Sequence, residues 1–211
     1  MFNRKKKKWM RPFIIFWSRI RMACRILAIG LLLLACPLHF SGFDIHARSE
    51  SFHEYQVKAV FLFNLTNFVS WPSGSFKGPD TPFIIGIIGK NPFGALLDGI
   101  VRDERIRGRR IRVEIYPDIV DIRVCHILFV SSSHAGHLPG IIKAAKKFDV
   151  LTVGDVQGFC LFGGMVNLVR EDNKVKVEIN AEAAKNAGLG ISSKLLKLSR
   201  IVKTKGAKEN D

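Results

Sequence analysis

The sequence predicts a single α/β domain, built on a mixed β-sheet of about six strands with helices packed on both faces. Short β-branched apolar runs alternate with helical patterns through the middle of the chain, as in sheets whose strands are buried on both sides. Further along, residues 165–180 alternate apolar and polar positions on either side of a polar turn, which predicts an antiparallel hairpin. The two patterns together favour a sheet of mixed strand direction.

The first predicted element is a helix over Glu54–Val69, in which the apolar residues exceed a single stripe. That excess predicts a helix that is covered on more than one side. The helix ends before Pro72, because the proline ring disfavours a helical conformation at Trp71. A polar loop follows, and then Phe83–Gly89 is short, apolar and β-branched, which is typical of a buried strand.

The middle of the chain continues this alternation of strands and helices. Asn91 is placed to cap a short helix that begins at Pro92. The remaining predictions for this part are a strand at Ile111–Ile115, a strand at His126–Val130, a helix from about His134 to Phe148 and a strand at Val150–Val153.

The closing block, residues 163–202, carries the hairpin and two short helices. Gly163 and Gly164 precede the first hairpin strand, where a sharp turn favours residues that are free to adopt positive φ. Asn180 is a good N-cap, and Gly188 is placed to end the helix that Asn180 opens. A further helix is predicted from two caps and an apolar side, namely Ser192, Ser193, Leu195, Leu196, Leu198, Ile201 and Val202. No residue type in this block is reactive, so it is interpreted as scaffold.

The amino terminus predicts export. Residues 1–47 are interpreted as a signal peptide with a basic n-region, followed by one domain over residues 48–203 and a charged tail over residues 204–211. The uncharged run Ile26–Leu38 is about 13 residues long, whereas a membrane-spanning helix needs roughly 20. Two alternatives stay open, acylation of Cys36 as in a lipoprotein and retention of the segment as an anchor. All three interpretations carry the domain across the cytoplasmic membrane.

The formal net charge of +15 is concentrated in the leader. Nine of the 33 Lys and Arg residues and one of the 18 acidic residues precede Arg48, which leaves 24 basic and 17 acidic residues, or +7, on residues 48–211. This charge is spread along the chain rather than gathered into a stripe with interleaved aromatic residues. The sequence therefore argues against a nucleic-acid partner and is compatible with an acidic protein or an anionic lipid surface.

Two cysteines, Cys125 and Cys160, lie outside the export segment. In an oxidising compartment an even pair can form one disulfide, and here it would close a loop of about 35 residues and contribute about 3–4 kcal/mol. The alternative is two separate buried thiols, because the sequence alone does not place the two Cα atoms within bonding range.

Seven ordered blocks resemble the YfiR family of exported bacterial proteins. The blocks span about Glu54 to Val202 and read EYQVKAVFLFNLTNFVSWP, IGIIGKNPFG, CHILFV, VLTVGDVQGF, GGMVNLV, VKVEIN and ISSKLLKLSR. The residues that carry the family pattern and are expected to be structural are Trp71, Pro72, Gly154, Asp155, Gly163, Gly164 and Asn180.

The resemblance implies a periplasmic, often dimeric, non-enzymatic regulator without a cofactor. Such a protein is expected to bind and restrain the periplasmic part of an inner-membrane diguanylate cyclase, lowering cyclic-di-GMP, with an outer-membrane lipoprotein as antagonist. A sensor kinase is the other expected membrane partner. A member of the family is held by two disulfides, whereas this domain has two cysteines, so Cys125 and Cys160 either pair with each other or have each lost a family partner.

Four sequence features suggest chemistry, and each has a simpler structural interpretation. His126, His134 and His137 form an incomplete metal-ligand set. Ser131–Ser133 beside His134 has the residue types of a nucleophile and a base, but Ser133 also suits an N-cap. The glycines around Lys90 suit an anion or a tight turn. Asp155 follows a strand and suits a ligand loop or a cap.

The functional hypotheses therefore favour protein contact over catalysis. Leu195 and Leu198, on the closing helix, are predicted as exposed partner contacts, whereas Phe61, Phe63, Phe68 and Trp71 are predicted mainly as core. The alternative function is a periplasmic small-ligand-binding sensor that acts with a histidine kinase. An exported hydrolase is disfavoured, because no acid, base and nucleophile set emerges.

Overall fold

The computed structural model describes residues 43–117 and 119–205 of the protein, with the side chains described from Phe52 onward apart from those of Val120, Asp121 and Arg123. The chain divides into two compact units, Met1–His46 and Ala47–Asp211, and the β-sheet and both of its cores belong to the second. The predictions for the leader before residue 43, including the acylation of Cys36, and for the tail beyond residue 205 lie outside the described residues.

Within the described ranges, five α-helices and ten strands follow the order of the chain. The helices are α1 Phe43–Phe68, α2 Leu96–Val101, α3 Leu138–Ala145, α4 Ala181–Asn186 and α5 Ser193–Lys197. The strands are β1 Val69–Ser70, β2 Phe83–Ile88, β3 Arg105–Ile106, β4 Arg109–Tyr116, β5 Ile127–Val130, β6 Leu151–Gly154, β7 Val166–Glu171, β8 Lys174–Ile179, β9 Gly190–Ile191 and β10 Arg200–Ile201. Three 3₁₀ helices span Ser73–Ser75, Ile119–Val124 and Ser132–His137.

Eight of these strands form one mixed sheet in the order β10-β8-β7-β6-β5-β2-β4-β3. Strands β7, β6, β5, β2 and β4 run parallel to one another, and β10 runs parallel to β8. The β7–β8 and β3–β4 pairs are antiparallel, and β1 and β9 form a separate small ribbon. The predicted α/β class is confirmed. The strand count exceeds the predicted six because β3 and β10 have only two residues each, too few to show a period.

Helices cover both faces of the sheet. Alternate residues of β2 point to opposite sides, so Phe83, Ile85 and Ile87 enter one core while Ile88 enters the other. The first core is closed by α1, α2, α4 and α5. The second core is closed by α3 and by the 3₁₀ helix Ile119–Val124.

Helix α1 differs from the prediction in length and in burial. It begins at Phe43 and ends at Phe68, so Val69 belongs to β1. One stripe of α1 is buried, but Val57 and Val60 are 42% and 48% exposed. The expectation that α1 is covered on more than one side is therefore wrong. Its apolar excess lies on a face that no other described element covers completely.

The hairpin and its neighbouring caps follow the sequence closely. Asp172 and Asn173 adopt positive φ (51° and 58°), which is the two-residue turn that matches the twist of paired strands. Asn180 Oδ1 accepts a hydrogen bond from the Ala183 N–H and caps α4, as predicted. Ser192 Oγ caps α5 in the same way, but α5 stops at Lys197 and the chain continues into β10 instead of extending the helix.

Two other helix boundaries are corrected. Asn91 Oδ1 accepts from the Phe93 N–H and forms a local turn, and α2 begins only at Leu96. The helix predicted from His134 is a 3₁₀ segment as far as His137, followed by α3. Both errors lie at helix starts, where a short polar side chain can close a turn as readily as it caps a helix.

The predicted disulfide between Cys125 and Cys160 does not form in this fold. Both residues are buried free thiols. Cys125 lies beside Gly86 of β2, while Cys160 Sγ approaches the Glu178 carbonyl of β8 at 3.6 Å. Three strands separate β2 from β8, a distance of about 19 Å at about 4.8 Å per strand. A disulfide requires Cα atoms within about 7 Å.

Candidate functional site

The carboxyl ends of β2 and β5 form a crevice at the top of the sheet. The chain leaves β2 towards α2 on the first core and leaves β5 towards α3 on the second core. Neighbouring parallel strands whose following segments diverge in this way form the switch point at which open α/β sheets bind ligands. Lys90, Ser131–Ser133 and Asp155, all singled out in the sequence, lie at this end of the sheet.

Close packing fills the crevice. A Cβ atom added to Gly89, which has φ +95°, would lie 2.6 Å from Ser133 Oγ and 2.7 Å from His134 Nδ1. Ser133 Oγ accepts a hydrogen bond from the Lys90 backbone N–H (2.9 Å) and donates one to Ser131 Oγ (3.3 Å). The hydroxyls therefore bond to backbone and to each other instead of to the imidazole. They clamp two loops together and are not arranged as a nucleophile with its base.

Asp155, directly after β6, fastens α1 to this end of the sheet. Its Oδ1 accepts a hydrogen bond from the Ser132 backbone N–H (3.0 Å). Its Oδ2 accepts from the Tyr55 hydroxyl (2.6 Å) and from Lys58 Nζ (3.4 Å). Lys58 also contacts Glu54 Oε1 at 2.5 Å. The side chains of Lys58 and Asp155 are only 3% and 1% exposed, so this ion pair is almost completely removed from water.

The charges of this cluster are balanced. Arg170 Nη1 on β7 lies 3.5 Å from Glu54 Oε2, which brings two cations and two carboxylates together. Burial, and then the hydrogen bond to Asp155, raise the pKa of Tyr55 well above its usual value, so Tyr55 is a neutral donor. Asp155 thus combines a capping role with a buried ion pair. The sequence did not pair it with Lys58, which is 97 residues away.

The family-pattern glycines surround one aromatic ring. Phe159 is fully buried, and a Cβ atom on Gly154 would lie 2.4 Å from its ring. A Cβ atom on Gly164 would lie 2.1 Å from the same ring. Gly163 adopts φ +96°, a conformation that side-chain-bearing residues rarely accept. Bare backbone on both sides of the ring lets the loop after β6 fold back into the second core.

The other family-pattern residues tie the ends of elements together. Trp71 is buried, and its Nε1 donates to the His126 carbonyl (3.1 Å). Pro72 follows it and opens the 3₁₀ helix Ser73–Ser75. Asn180, besides capping α4, donates through Nδ2 to Thr204 Oγ1 (2.8 Å). These contacts explain each residue through packing or capping.

The three histidines considered as metal ligands are not brought together. The His126 ring stacks against Phe76 and against Phe83, with centroid distances of 4.6 and 4.7 Å. His134 and His137 lie 5.5 Å apart, ring to ring, on the 3₁₀ helix after β5. Within residues 43–117 and 119–205, no three His, Cys, Asp or Glu side chains are grouped as metal ligands.

The buried position of His126 makes acid destabilisation a testable prediction. Burial lowers the pKa of His126 below its usual value, and the nearby Arg109 guanidinium acts in the same direction. The folded state therefore binds fewer protons than the unfolded state, whose histidine titrates near about 6.5. The contribution of neutral His126 to the free energy of unfolding is fully present above that pH, and it is lost as the pH is lowered from about 7 to 5.

Thermal unfolding across this pH range checks the prediction. The wild type is expected to lose more stability than His126→Asn, because Asn keeps an acceptor for the Ile84 N–H but does not titrate. His137→Asn, at an exposed position, should follow the wild-type curve. Parallel curves for the wild type and His126→Asn would contradict this assignment.

An apolar groove of about 250 Å³ lies between α1, β8 and α5. We refer to it as the α1–α5 groove, and its apolar walls are Phe61, Phe68, Val175, Val177, Leu195 and Leu198. Leu198 is 77% exposed, and Ile201 beside it on β10 is 53% exposed. A wider depression of about 520 Å³ between α1 and the hairpin shares Val175 and includes Val57. The exposed face of α1 is thus bordered by an apolar groove towards α5 and by a depression of mixed lining towards the hairpin.

Several lysines lie near the α1–α5 groove, and one of them, Lys176, is among its lining residues. Lys174 and Lys176 are exposed on β8, and Lys194 and Lys197 are exposed on α5. The neighbouring Arg200 is instead bonded to Glu171 (2.6 Å) and Glu178 (3.3 Å). Positive charge therefore lies near the apolar lining, from Lys176 in the groove and from the exposed lysines of α5, which suits a partner segment that carries both apolar and acidic side chains.

The two predicted contact leucines differ in exposure. Leu198 projects into solvent as expected, but Leu195 is only 7% exposed and belongs to the first core, so it is not an exposed contact. Trp71 is core as predicted. Phe61 and Phe68 are half-buried and form part of the groove wall. The surplus of apolar residues on α1, which by itself predicts burial, is the sequence feature that corresponds to this surface.

Most of the chain matches a known protein family. The sequence profile of the YfiR/HmsC-like family matches residues 55–200, well over half of the chain. The protein belongs to the YfiR/HmsC-like family. The matched residues include those that form the Tyr55–Asp155 hydrogen bond, the two glycines that contact Phe159 and the walls of the α1–α5 groove. Among curated proteins, none matches this chain.

Two solved structures resemble part of this YfiR/HmsC-like chain at low sequence identity. One is the ABC domain from Streptococcus pneumonia in complex with L-Trp, with 12% identity and a TM-score of 0.44 over 57% of this chain and 55% of that one. Another is a conserved domain protein from Vibrio cholerae, with 14% identity and a TM-score of 0.40 over 57% and 54%. The chain thus spans just over half the length of each.

Among its described helices, none combines the length and apolar character needed to cross a bilayer.

Proposed function

We propose that this protein is a periplasmic regulator that binds the periplasmic part of an inner-membrane diguanylate cyclase and holds the enzyme in a less active state. The observation that carries the proposal is the family match together with an exposed apolar groove inside the matched region. The crevice, where a ligand or a catalytic pair would be expected, is filled by loop contacts. Contact with another protein fits this distribution of features better than turnover does.

The physical mechanism is differential affinity. A regulator that binds one conformation of the cyclase more tightly shifts the enzyme towards that conformation, and a coupling of about 1–3 kcal/mol changes output by roughly 5- to 150-fold. A homodimer and an outer-membrane lipoprotein antagonist, both implied by the family resemblance, belong to the same proposal.

Substitution of Leu198 by Asp tests the docking surface. A charge at Leu198, in the wall of the α1–α5 groove, is expected to weaken capture of the cyclase from membranes by about 30-fold, the loss of a hot spot worth about 2 kcal/mol. Cyclic-di-GMP should rise towards the level of a deletion strain. Stability should change by only about 0.5 kcal/mol, because Leu198 is 77% exposed.

Phe162→Asp is the matched control, since Phe162 is also apolar and 58% exposed but lies on the loop after β6. It is expected to leave capture and cyclic-di-GMP unchanged. Equal effects of the two variants would mean that the groove has no specific role. Unchanged cyclic-di-GMP on deletion of the whole protein would contradict the proposed function itself.

A small-ligand sensor that acts with a histidine kinase is the second candidate. The depression of about 520 Å³ beside His53, Glu54 and Arg170 is the observation in its favour, since its size and mixed lining suit a small ligand. A saturable thermal shift with one class of metabolite, abolished by Arg170→Ala, would favour this function over cyclase restraint.

A further inference from the structure

Arginine is concentrated in one short segment, although the positive charge as a whole is spread along the chain. Six of the ten arginines in residues 48–211 lie in residues 102–112, and this segment contains no lysine. Arginine differs from lysine in its planar fork of N–H donors, which can bond to two oxygens of a phosphate or carboxylate at once. The composition of the segment therefore indicates contact with oxyanions and not merely a need for positive charge.

Strands β3 and β4 place three of these arginines side by side. Arg105 on β3 lies directly opposite Arg110 on β4, and directly opposite residues have Cβ atoms about 4.5–5.5 Å apart. Residues two apart along a strand point to the same face, so Arg112 lies next to Arg110 on that face. All three residues are exposed. We refer to Arg105, Arg110 and Arg112 as the arginine face.

The arginine face has no acidic partner within the described part of the chain. Its residues take part in none of the ion pairs there, and Arg105 donates only to the Gly108 carbonyl (3.3 Å). Glu114, which follows on the same face of β4, accepts the Tyr116 hydroxyl instead (3.0 Å). Like charges directly opposite each other destabilise an antiparallel pair, so a bound anion would relieve a repulsion that the fold contains.

The neighbouring Arg109 has a different, structural role. Its Nη1 donates to three backbone carbonyls, those of Gly78 (2.5 Å), Pro79 (2.8 Å) and Thr81 (2.9 Å). Its guanidinium also lies 4.4 Å from the centre of the Phe76 ring. Arg109 therefore holds the loop before β2 in place. The arginine face points away from Arg109, to the other side of the strand, and has no comparable contacts within the described residues.

The surroundings of the arginine face favour a lipid surface over a protein partner. Between residues 102 and 114, none of the described side chains is a large exposed apolar one. Neither the α1–α5 groove nor the depression of about 520 Å³ is lined by a residue of this segment. A specific protein interface has a buried apolar centre, whereas the phosphates of an anionic bilayer attract clustered cations without one.

We propose that the arginine face binds the phosphate groups of an anionic membrane surface and holds the domain against the bilayer. Each arginine close to such a surface should tighten binding by about fivefold. Added salt should weaken it, because the Debye length is only about 8 Å at physiological ionic strength. The binding does not depend on the cyclase. The α1–α5 groove lies beside β8, towards the other end of the strand order, so it stays free for a protein partner.

Modification of arginine by phenylglyoxal, located by mass spectrometry, tests the contact on the full chain. Vesicles that contain phosphatidylglycerol should slow the modification of the arginine face by about fivefold, the factor that each arginine contributes to binding. Vesicles of phosphatidylcholine alone should have no effect. Arg200, at the other end of the strand order, should react at one rate throughout. Binding through the basic leader alone would leave the arginine face as reactive as Arg200, and that result would overturn the proposal.

Vesicle flotation with two matched double variants measures the contribution to affinity. R105Q/R110Q should bind phosphatidylglycerol vesicles about 25-fold more weakly than the wild type, at about fivefold for each arginine. It should be at least as stable as the wild type, because it removes a repulsion. K174Q/K176Q removes two exposed charges from the β7–β8 hairpin and should bind as the wild type does. Equal losses in the two double variants would refute a specific role for the arginine face.

Soluble competitors separate the membrane from other sources of the same chemistry. Inorganic phosphate and polyglutamate are added in place of vesicles, each at the same concentration of negative charge. Protection of the arginine face by phosphate as strong as that by vesicles would indicate a site for a free anion. Stronger protection by polyglutamate would indicate an acidic protein segment. Either result would overturn the membrane assignment, whereas protection mainly by vesicles supports it.

Discussion

Replacement of Asp155 by Ala is expected to lower the free energy of unfolding by about 3–5 kcal/mol, the usual loss when one member of a buried ion pair is removed. Lys58 would keep Glu54 but lose the partner with which it is buried. The Ser132 N–H and the Tyr55 hydroxyl would lose their acceptors as well. Urea unfolding followed by circular dichroism measures the change.

Two further variants separate the charge from the hydrogen bonds. Asp155→Asn keeps an acceptor for Ser132 and should fall between the wild type and Asp155→Ala. The double variant Lys58→Met with Asp155→Leu should lose less than the sum of its parts, because replacing both charges by apolar groups avoids an unpaired buried ion. Arg200→Ala removes an exposed ion pair and should cost far less than Asp155→Ala. A loss from Asp155→Ala no larger than that of Arg200→Ala would show that the cluster does not anchor α1.

The second large effect is expected from one added methyl group at Gly164. Gly164→Ala should destabilise the protein by about 3 kcal/mol, at the upper end of the range for overpacked cores. The new Cβ atom would lie 2.1 Å from the Phe159 ring, and Gly154 blocks the other side of that ring. Phe159 is fully buried, so its ring has no open space into which to move.

A double-mutant cycle tests whether this clash is the cause. Phe159→Leu alone should destabilise by leaving a cavity, but Gly164→Ala added to it should cost far less than in the wild type, a coupling of about 1–2 kcal/mol. Gly99→Ala is the control, since a Cβ atom there meets no atom within 4 Å. Strict additivity of the two substitutions would rule out the ring contact as the source of the loss.

Local features of the sequence were sufficient for the hairpin and its caps. The period of two on either side of residues 171–174, the residues at its turn and the capping side chains of Asn180 and Ser192 act within a few positions of the chain. The buried strands β2, β5 and β6 were likewise evident from unbroken β-branched runs. The order of seven motifs was enough to indicate the YfiR family before any tertiary contact was considered.

Only the tertiary structure decided which strands are neighbours, and the features missed in the sequence depend on that order. The strand order separates Cys125 from Cys160 by several strand widths. The packing of α1 on the sheet brings Lys58 into contact with Asp155, which is 97 residues away in the sequence. The same tertiary packing leaves one face of α1 uncovered, and it buries Leu195 in the core while Leu198 stays exposed to solvent. The periodicity of a segment shows how apolar one of its faces is, but it does not show what covers that face. The residues that cover it come from distant parts of the sequence and meet it only in the folded chain.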